Sequence, residues 1–462
     1  MNKFEKILLT VFFIEIFVGG GGRLIDFGVV SIRQVLFLLL LATFVYRILK
    51  EKAIFNKEVN TFFRFNPVTI GIYALIGWFI VSCIIGYLNG HPLGAIVTDF
   101  LRVSYFVLYF PLAYYISKER FSLQRIIILL KYSALVVAIF TIVVSLLGKT
   151  IFAADFKPYY DFMNWLMNDD LFFRPSKSVF YKSHFFVLVG LIISLNDLLN
   201  RNYSKLNVAI IIFGSISVLW SETRGFLLAF MLSVFLIIIL DIKVIVDPIK
   251  GLASKIEKLV QSRQFIRKLA ISLIVLVAVP FLFKYMTLER FEVTVVEEVP
   301  SIEHNKTGNN SDFKTNNHKS GNVKTEVNDV SVNARMEFII ASKEILAHPT
   351  NLIIGTGYGT EIAGRITGIE MSFLDILLEQ GLIGFATWGF LFFKVYYNYY
   401  TAYKKGQKLT SLDISLMAAF MGILLLTNIN PFINNPIGIS FFLVVLVVSQ
   451  NKKDLSLNEE LQ

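Results

Sequence analysis

The chain has 462 residues, 55% of them hydrophobic and 17% charged, with a formal net charge of +10 and a mean hydropathy of +0.63. That balance excludes a soluble multidomain protein, and long unbroken apolar runs in place of short alternating segments exclude a transmembrane barrel. The lysines and arginines sit in short loops between the apolar runs, so the positive charge points to orientation in a membrane and not to nucleic acid.

The expected architecture is an all-α polytopic membrane protein of about twelve transmembrane helices. The spans are read at 7–20, 28–46, 67–87, 98–117, 126–148, 179–199, 206–220, 225–246, 268–285, 372–398, 411–428 and 436–449. The first follows Lys3 and Lys6 and runs into Gly19–Gly22 without a small-x-small site, so no cleavable signal peptide is expected. Arg33, in the second, reads as a structural partner of Asp26 or Glu15. Cys83, the single cysteine, lies in the third and cannot form a disulfide within the chain. The alternation of basic and charge-poor loops places both termini, including the tail 451–462, in the cytoplasm. Residues 1–285 then form the first nine spans and 372–450 the last three.

Two outside loops are long. The first, 149–178, holds Tyr159, Tyr160 and Trp165, the acids Asp161, Asp169 and Asp170, and then Arg174 and Lys177. The three aspartates resemble a metal-capable cluster but read better as a solvated loop, and no metal or cofactor is expected. The second, 286–371, has an Asn-rich, apolar-poor tract at 301–333 that reads as mobile. Its sequons at Asn305 and Asn309 are what such a tract produces by chance. Beyond it, 334–347 has helical periodicity, opens with Arg335 and stops at His348-Pro349, as a helix lying on the membrane surface would. The glycine-rich turn Ile354–Thr360 is either a structural turn or a backbone contact to a diphosphate or sugar around Gly357. It does not read as a nucleotide loop, because it opens no cytosolic helix.

Arg224, in Trp220-Ser221-Glu222-Thr223-Arg224-Gly225, is the most informative residue. It interrupts two apolar runs where a charge is costly and where ionisable groups usually meet a cavity, a partner or a substrate. A rigid fork of N–H donors suits a phosphate or carboxylate.

The succession of this arginine flanked by Ser and Gly, a large late outside loop, an Arg335-led helix ending in His348-Pro349, the turn Gly355-Thr356-Gly357-Tyr358-Gly359 and the polar stretch ahead of Gly381-Leu382-Ile383-Gly384 resembles the O-antigen polymerase and O-antigen ligase superfamily. The likeness covers about 170–400 in motif order and the whole chain in topology. It implies a lipid-dependent glycosyltransferase architecture of the GT-C type in the inner membrane of a Gram-negative bacterium. It also implies transfer of a glycan from an undecaprenyl diphosphate carrier to an acceptor hydroxyl at the periplasmic face, with inversion and without a metal. Ligases of the superfamily carry His-Asn or His-Ser where this chain has Glu370-Met371, so the departure favours the polymerase over the ligase. Ligase and protein O-oligosaccharyltransferase remain the alternatives, and a chain-length regulator is an expected partner of the polymerase.

Leaving-group stabilisation requires preorganised cations. Arg224 and Arg335 match the superfamily arginines, with Lys177, Arg174, Lys182 and Arg102 next in rank. The acceptor hydroxyl requires an orienting base, for which Glu370 is the first choice, followed by Asp375 and Glu222. The structural readings are that Arg102 and Lys182 snorkel, that Lys177 and Arg174 bind lipid, that Glu222 neutralises Arg224, and that His184 is packed polar glue between helices. A transporter of the same lipid-linked sugar is disfavoured by the lack of an internal repeat.

Overall fold

The computed structural model describes residues 1–22, 25, 31–56, 63–117, 120–242, 263–288, 330–366 and 368–460. Asp26, Asn305, Asn309 and most of the tract 301–333 lie outside these residues.

The first helices are α1 (Lys3–Val18), α2 (Ile32–Lys50), α3 (Pro67–Leu88), α4 (Leu93–Val103) with a 3-10 turn at Ser104–Leu108, α5 (Tyr109–Ser117) and α6 (Leu123–Lys149). After α7 (Phe156–Leu166) and two strands come α8 (His184–Leu199), α9 (Lys205–Trp220), α10 (Arg224–Ile242), α11 (Arg263–Leu288), α12 (Val330–Leu346) and α13 (Pro349–Ile354). The chain closes with α14 (Ser372–Lys404), α15 (Ser411–Leu426) and α16 (Pro436–Glu460). Their starts are written locally. Asn2 and Glu5 form a capping box on α1, Asn66 caps α3 ahead of Pro67, and Thr410 with Asp413 boxes α15.

The expected apolar runs fall largely on helices, and five of these are long and apolar enough to cross a membrane among the described residues: Ile32–Lys50, Pro67–Leu88, Leu93–Ile116, Leu123–Lys149 and Ser372–Lys404. Four further apolar segments, His184–Leu199, Lys205–Trp220, Arg224–Leu240 and Ser411–Leu426, are shorter. In the bundle α6 packs on α8 and α9, α10 on α15, and α14 on α16 and α3. The core is aromatic: Phe392 meets Trp388, Phe420 and Phe442, and Phe420 stacks on Phe442.

Four features differ from the sequence reading. The loop 149–178 is built: α7 is followed by a hairpin of β1 (Leu171–Phe173) and β2 (Val179–Tyr181), so the chain is not purely helical, and the span expected from 179 begins as helix at His184. Hairpin pairing there satisfies backbone that the short apolar stretch 179–181 could not satisfy alone. Asp170 is buried, not solvated, and accepts from Gly21 N and from Lys182 Nζ. Helix α12 begins at Val330, ahead of the expected 334. Finally, α14 is broken at Gly381 (φ 65°, ψ −172°). A Cβ there would press on the backbone of Ile353 and Gly355, so glycine lets the turn after α13 wedge into the break. The carbonyl of Gln380 at the break accepts from Trp78 Nε1 at 2.7 Å, which satisfies a group that lipid could not.

Candidate functional site

Where α1 ends, α2 and α10 begin, and the chain passes from α15 to α16, the structure encloses a cavity of about 520 Å³. Seven cationic side chains line it (Arg33, Arg102, Arg174, Lys182, Arg224, Arg335 and Arg365) against two carboxylates, Glu222 and Glu370, so the walls carry a strong positive excess. Phe172, Phe180, Phe432, Gly21, Gly225, Gly368, Asn430 and Asn435 complete the lining used below.

Each wall is held by specific contacts. Arg33 is 3% exposed and lies against Glu15, Nε to Oε2 at 2.8 Å. This is one of the two partners expected for it, yet Arg33 also faces the cavity. The run Gly19–Gly22 passes close beneath Asp170, Tyr181 and Arg33, where any Cβ would collide. Ser183 Oγ accepts from Gly20 N at 2.9 Å, and Tyr181 donates to the Val18 carbonyl at 2.6 Å. Burial first, and then Asp170 nearby, raise the Tyr181 phenol above its ordinary value, so it serves as a neutral donor.

The hairpin turn brings in Arg174, which donates to Ser221 O at 3.2 Å and Thr223 Oγ1 at 3.0 Å and lies 5.5 Å from the Phe180 ring. Its guanidinium is thereby pinned beside the segment that starts α10 at Arg224. Glu222 accepts from Ser176 Oγ across the same junction, which ties the hairpin to the lip of α10. Lys182 faces Asp170 at 3.1 Å.

On the opposite wall Arg335 Nη2 donates to Ile429 O at 3.3 Å and stands 3.5 Å from Glu370 Oε2. Arg365 Nη2 lies 3.8 Å from Glu370 Oε1 and its guanidinium covers the Phe338 ring at 5.3 Å. Glu370 is therefore held between two arginines, one from α12 and one from the loop before α14. The Asn- and Pro-rich segment 428–436 forms the floor. Thr427 Oγ1 accepts from Ile433 N at 2.9 Å, and Ser372 donates to Asn434 Oδ1 at 2.8 Å.

Arg102 enters from α4. It does not snorkel: Asp99 takes its Nη2, with Asp375 at 3.8 Å and Glu379 at 3.9 Å. Gly368, at φ +57°, lets the loop before α14 run against this guanidinium, where a Cβ would strike Nη1. The Nε atoms of Arg102 and Arg335 are buried and meet no acceptor among the described residues. A buried donor left unmade costs about 1–3 kcal/mol.

Of the eleven residues singled out from sequence, seven line the cavity: Glu370, Arg224, Arg335, Arg174, Lys182, Arg102 and Glu222. The other four sit behind or away from it. Asp375 is fully buried and accepts from Ile369 N at 3.3 Å and Asn434 Nδ2 at 2.7 Å. Lys177 turns back to the Ala153 carbonyl at 2.7 Å. His184 is fully buried, with Nε2 at 2.9 Å from Ser217 Oγ and its ring stacked on Phe180.

Gly357 belongs to a packed turn whose N–H groups are used within the protein. Those of Thr356, Gly357, Tyr358 and Gly359 donate to Leu378 O, Glu379 O, Ser82 O and Asp99 Oδ2 respectively, which leaves no backbone nest open to an anion there. The sequence reading missed Arg365, the cavity side of Arg33, and the 428–436 floor. The signal for the last was an Asn- and Pro-dense, uncharged break between two apolar runs.

Fold and site together define a multi-helix membrane protein with a basic, anion-sized cavity at one end of its bundle. No family model matches the chain. It is similar to an O-antigen polymerase of Shigella flexneri, 27% identical over 241 residues, which is 51% of this chain and 57% of that protein. The chain thus matches little more than half the length of that curated relative. The similarity supports the O-antigen polymerase family and, with the apolar helices, a membrane protein of O-antigen polysaccharide biosynthesis.

Proposed function

We propose that the chain is an inner-membrane polymerase of lipid-linked oligosaccharide repeat units. It moves the growing glycan from a polyprenyl diphosphate, of the undecaprenyl type, to a hydroxyl of the next unit. The observation that carries this reading is the excess of seven cations over two carboxylates around one cavity. In this reading the architecture is of the GT-C type, the cavity opens to the periplasm and both termini are cytoplasmic.

The chemistry follows from the walls. Breaking the bond between the anomeric carbon and the phosphate oxygen leaves a diphosphate with an extra negative charge. A guanidinium about 5 Å from that charge contributes roughly 3 kcal/mol at an effective dielectric of about 20. Arg224 and Arg335 come from two helices and Arg174 and Lys182 from the hairpin, so the cations surround the leaving group from three separate elements. Glu370, held by two arginines at the cavity wall, accepts the proton of the attacking hydroxyl. Attack on the face opposite the departing phosphate then inverts the anomeric centre.

The test is the purified protein in liposomes with polyprenyl diphosphate-linked repeat units. The expected result is chains that lengthen on the carrier, with one polyprenyl diphosphate released per unit added. Chains moved intact to a separate lipid acceptor, with no lengthening, would assign a ligase. Movement of the unmodified substrate across the bilayer would assign a transporter.

A further inference from the structure

Helix α7 and the hairpin after it have two unlike faces. The inner one is docked: Tyr159 donates to Val144 O of α6 at 2.9 Å, and Met163 is buried beside it. Phe156 and Tyr160 meet the hairpin ring of Phe173 at 5.3 and 5.4 Å. The outer one carries Phe162, Trp165 and Leu166, spaced i, i+3 and i+4 and therefore on one side of the helix. Phe162 and Trp165 are 54% and 76% exposed. In water each such side chain forgoes about 1.5–3 kcal/mol of burial. What covers this face is given by where α7 lies: it follows α6, a helix of membrane length, and precedes the apolar helix α8, so it sits at the level where these helices meet the bilayer boundary. Trp and Phe on a helix lying in that plane are the side chains the boundary favours. Phe172 of β1 is exposed and lines the cavity.

We infer that α7 is an interfacial anchor, its Phe162–Trp165 face seated in the headgroup–acyl boundary of the bilayer. Through its rigid dock on the hairpin it holds Arg174 and Lys182 at the depth of the lipid phosphates. The anchoring stands on the geometry of α7 alone. Its consequence, that a lipid-held diphosphate meets the cavity without leaving the membrane, rests on the diphosphate reading above.

The full-length protein and its W165F variant, each in phosphatidylethanolamine–phosphatidylglycerol liposomes containing acyl-brominated lipid, test the anchor. The difference between their tryptophan emissions belongs to Trp165, because the other three tryptophans are common to both. The expected result is a difference signal quenched strongly by brominated lipid and weakly by aqueous iodide, whether or not the protein polymerises anything. The opposite order overturns the anchor. The double variant F162E/W165E alters only exposed positions and tests the coupling to the hairpin. Chain extension should fall at least about tenfold with the protein still in the membrane, as a misplacement of binding groups would produce. Unchanged extension in that variant would overturn the coupling and leave the polymerase reading intact.

Discussion

Asn434 donates to Asp375 at 2.7 Å and so joins the floor of the cavity to the start of α14. The same carboxylate receives Ile369 N at 3.3 Å, one residue before Glu370, and faces Arg102 at 3.8 Å. Three walls of the site therefore converge on one fully buried side chain that does not itself line the cavity. In the proposed reading it is a positioning residue.

Replacing Asp375 by Ala should destabilise the protein by about 3–5 kcal/mol, because removing one partner of a buried charged pair strands the others. Thermal unfolding in detergent would show the loss directly. Asp375→Asn keeps the shape and one acceptor but not the charge. It should recover most of the stability while the extension rate stays low, since Arg102 then loses a neighbour that fixes it.

Glu370→Gln keeps the volume and hydrogen-bonding reach of the side chain but cannot take a proton. Initial rates with a lipid-linked substrate should fall by about 10²–10⁴, with the KM for the donor little changed. Arg335→Ala should raise that KM as well as lower kcat, because it removes a cation of the leaving-group site together with a neighbour of Glu370. Equal behaviour of the two variants would contradict the division of roles.

Gly357→Ala should act on folding. Gly357 has φ +84°, and an added Cβ would strike the backbone of Gly86 in α3. Both the strain and the clash oppose alanine, by roughly 1–3 kcal/mol for the conformation alone. Less protein should accumulate in membranes, and whatever folds should retain its specific activity.

Chelation should leave chain extension unchanged. The leaving group is served by fixed guanidinium and ammonium groups, and the two carboxylates on the cavity wall already have partners in Ser176, Arg335 and Arg365. Initial rates with and without a chelator in liposomes would check this.

How much of this was legible beforehand depended on the kind of signal. Apolar runs announce helices because lipid and backbone leave few other solutions, and the expected runs fall largely on helices, five of them of membrane length among the described residues. Arg224 stood out as a charge in a costly place, Arg335 through its match to the superfamily arginines, and Arg102 only in the second rank. Arg365 did not, since it lies in a loop where an arginine costs nothing. The built loop 149–178 was also hidden. Its order comes from long-range contacts, Gly21 to Asp170 and Tyr159 to Val144, which no local pattern encodes. Gly357 was ambiguous because an anion nest and a tight packing turn require the same residue, and only its neighbours Gly86 and Glu379 decide between them.

The most direct test of the central claim is the surface glycan ladder of a strain lacking this protein, complemented with the wild type or with Arg224→Ala at matched membrane abundance. The account predicts that the variant yields a core bearing a single repeat and no ladder, a loss of about 10²–10³ or more in extension as expected when a preorganised group at a developing charge is removed. A normal ladder from Arg224→Ala would contradict it.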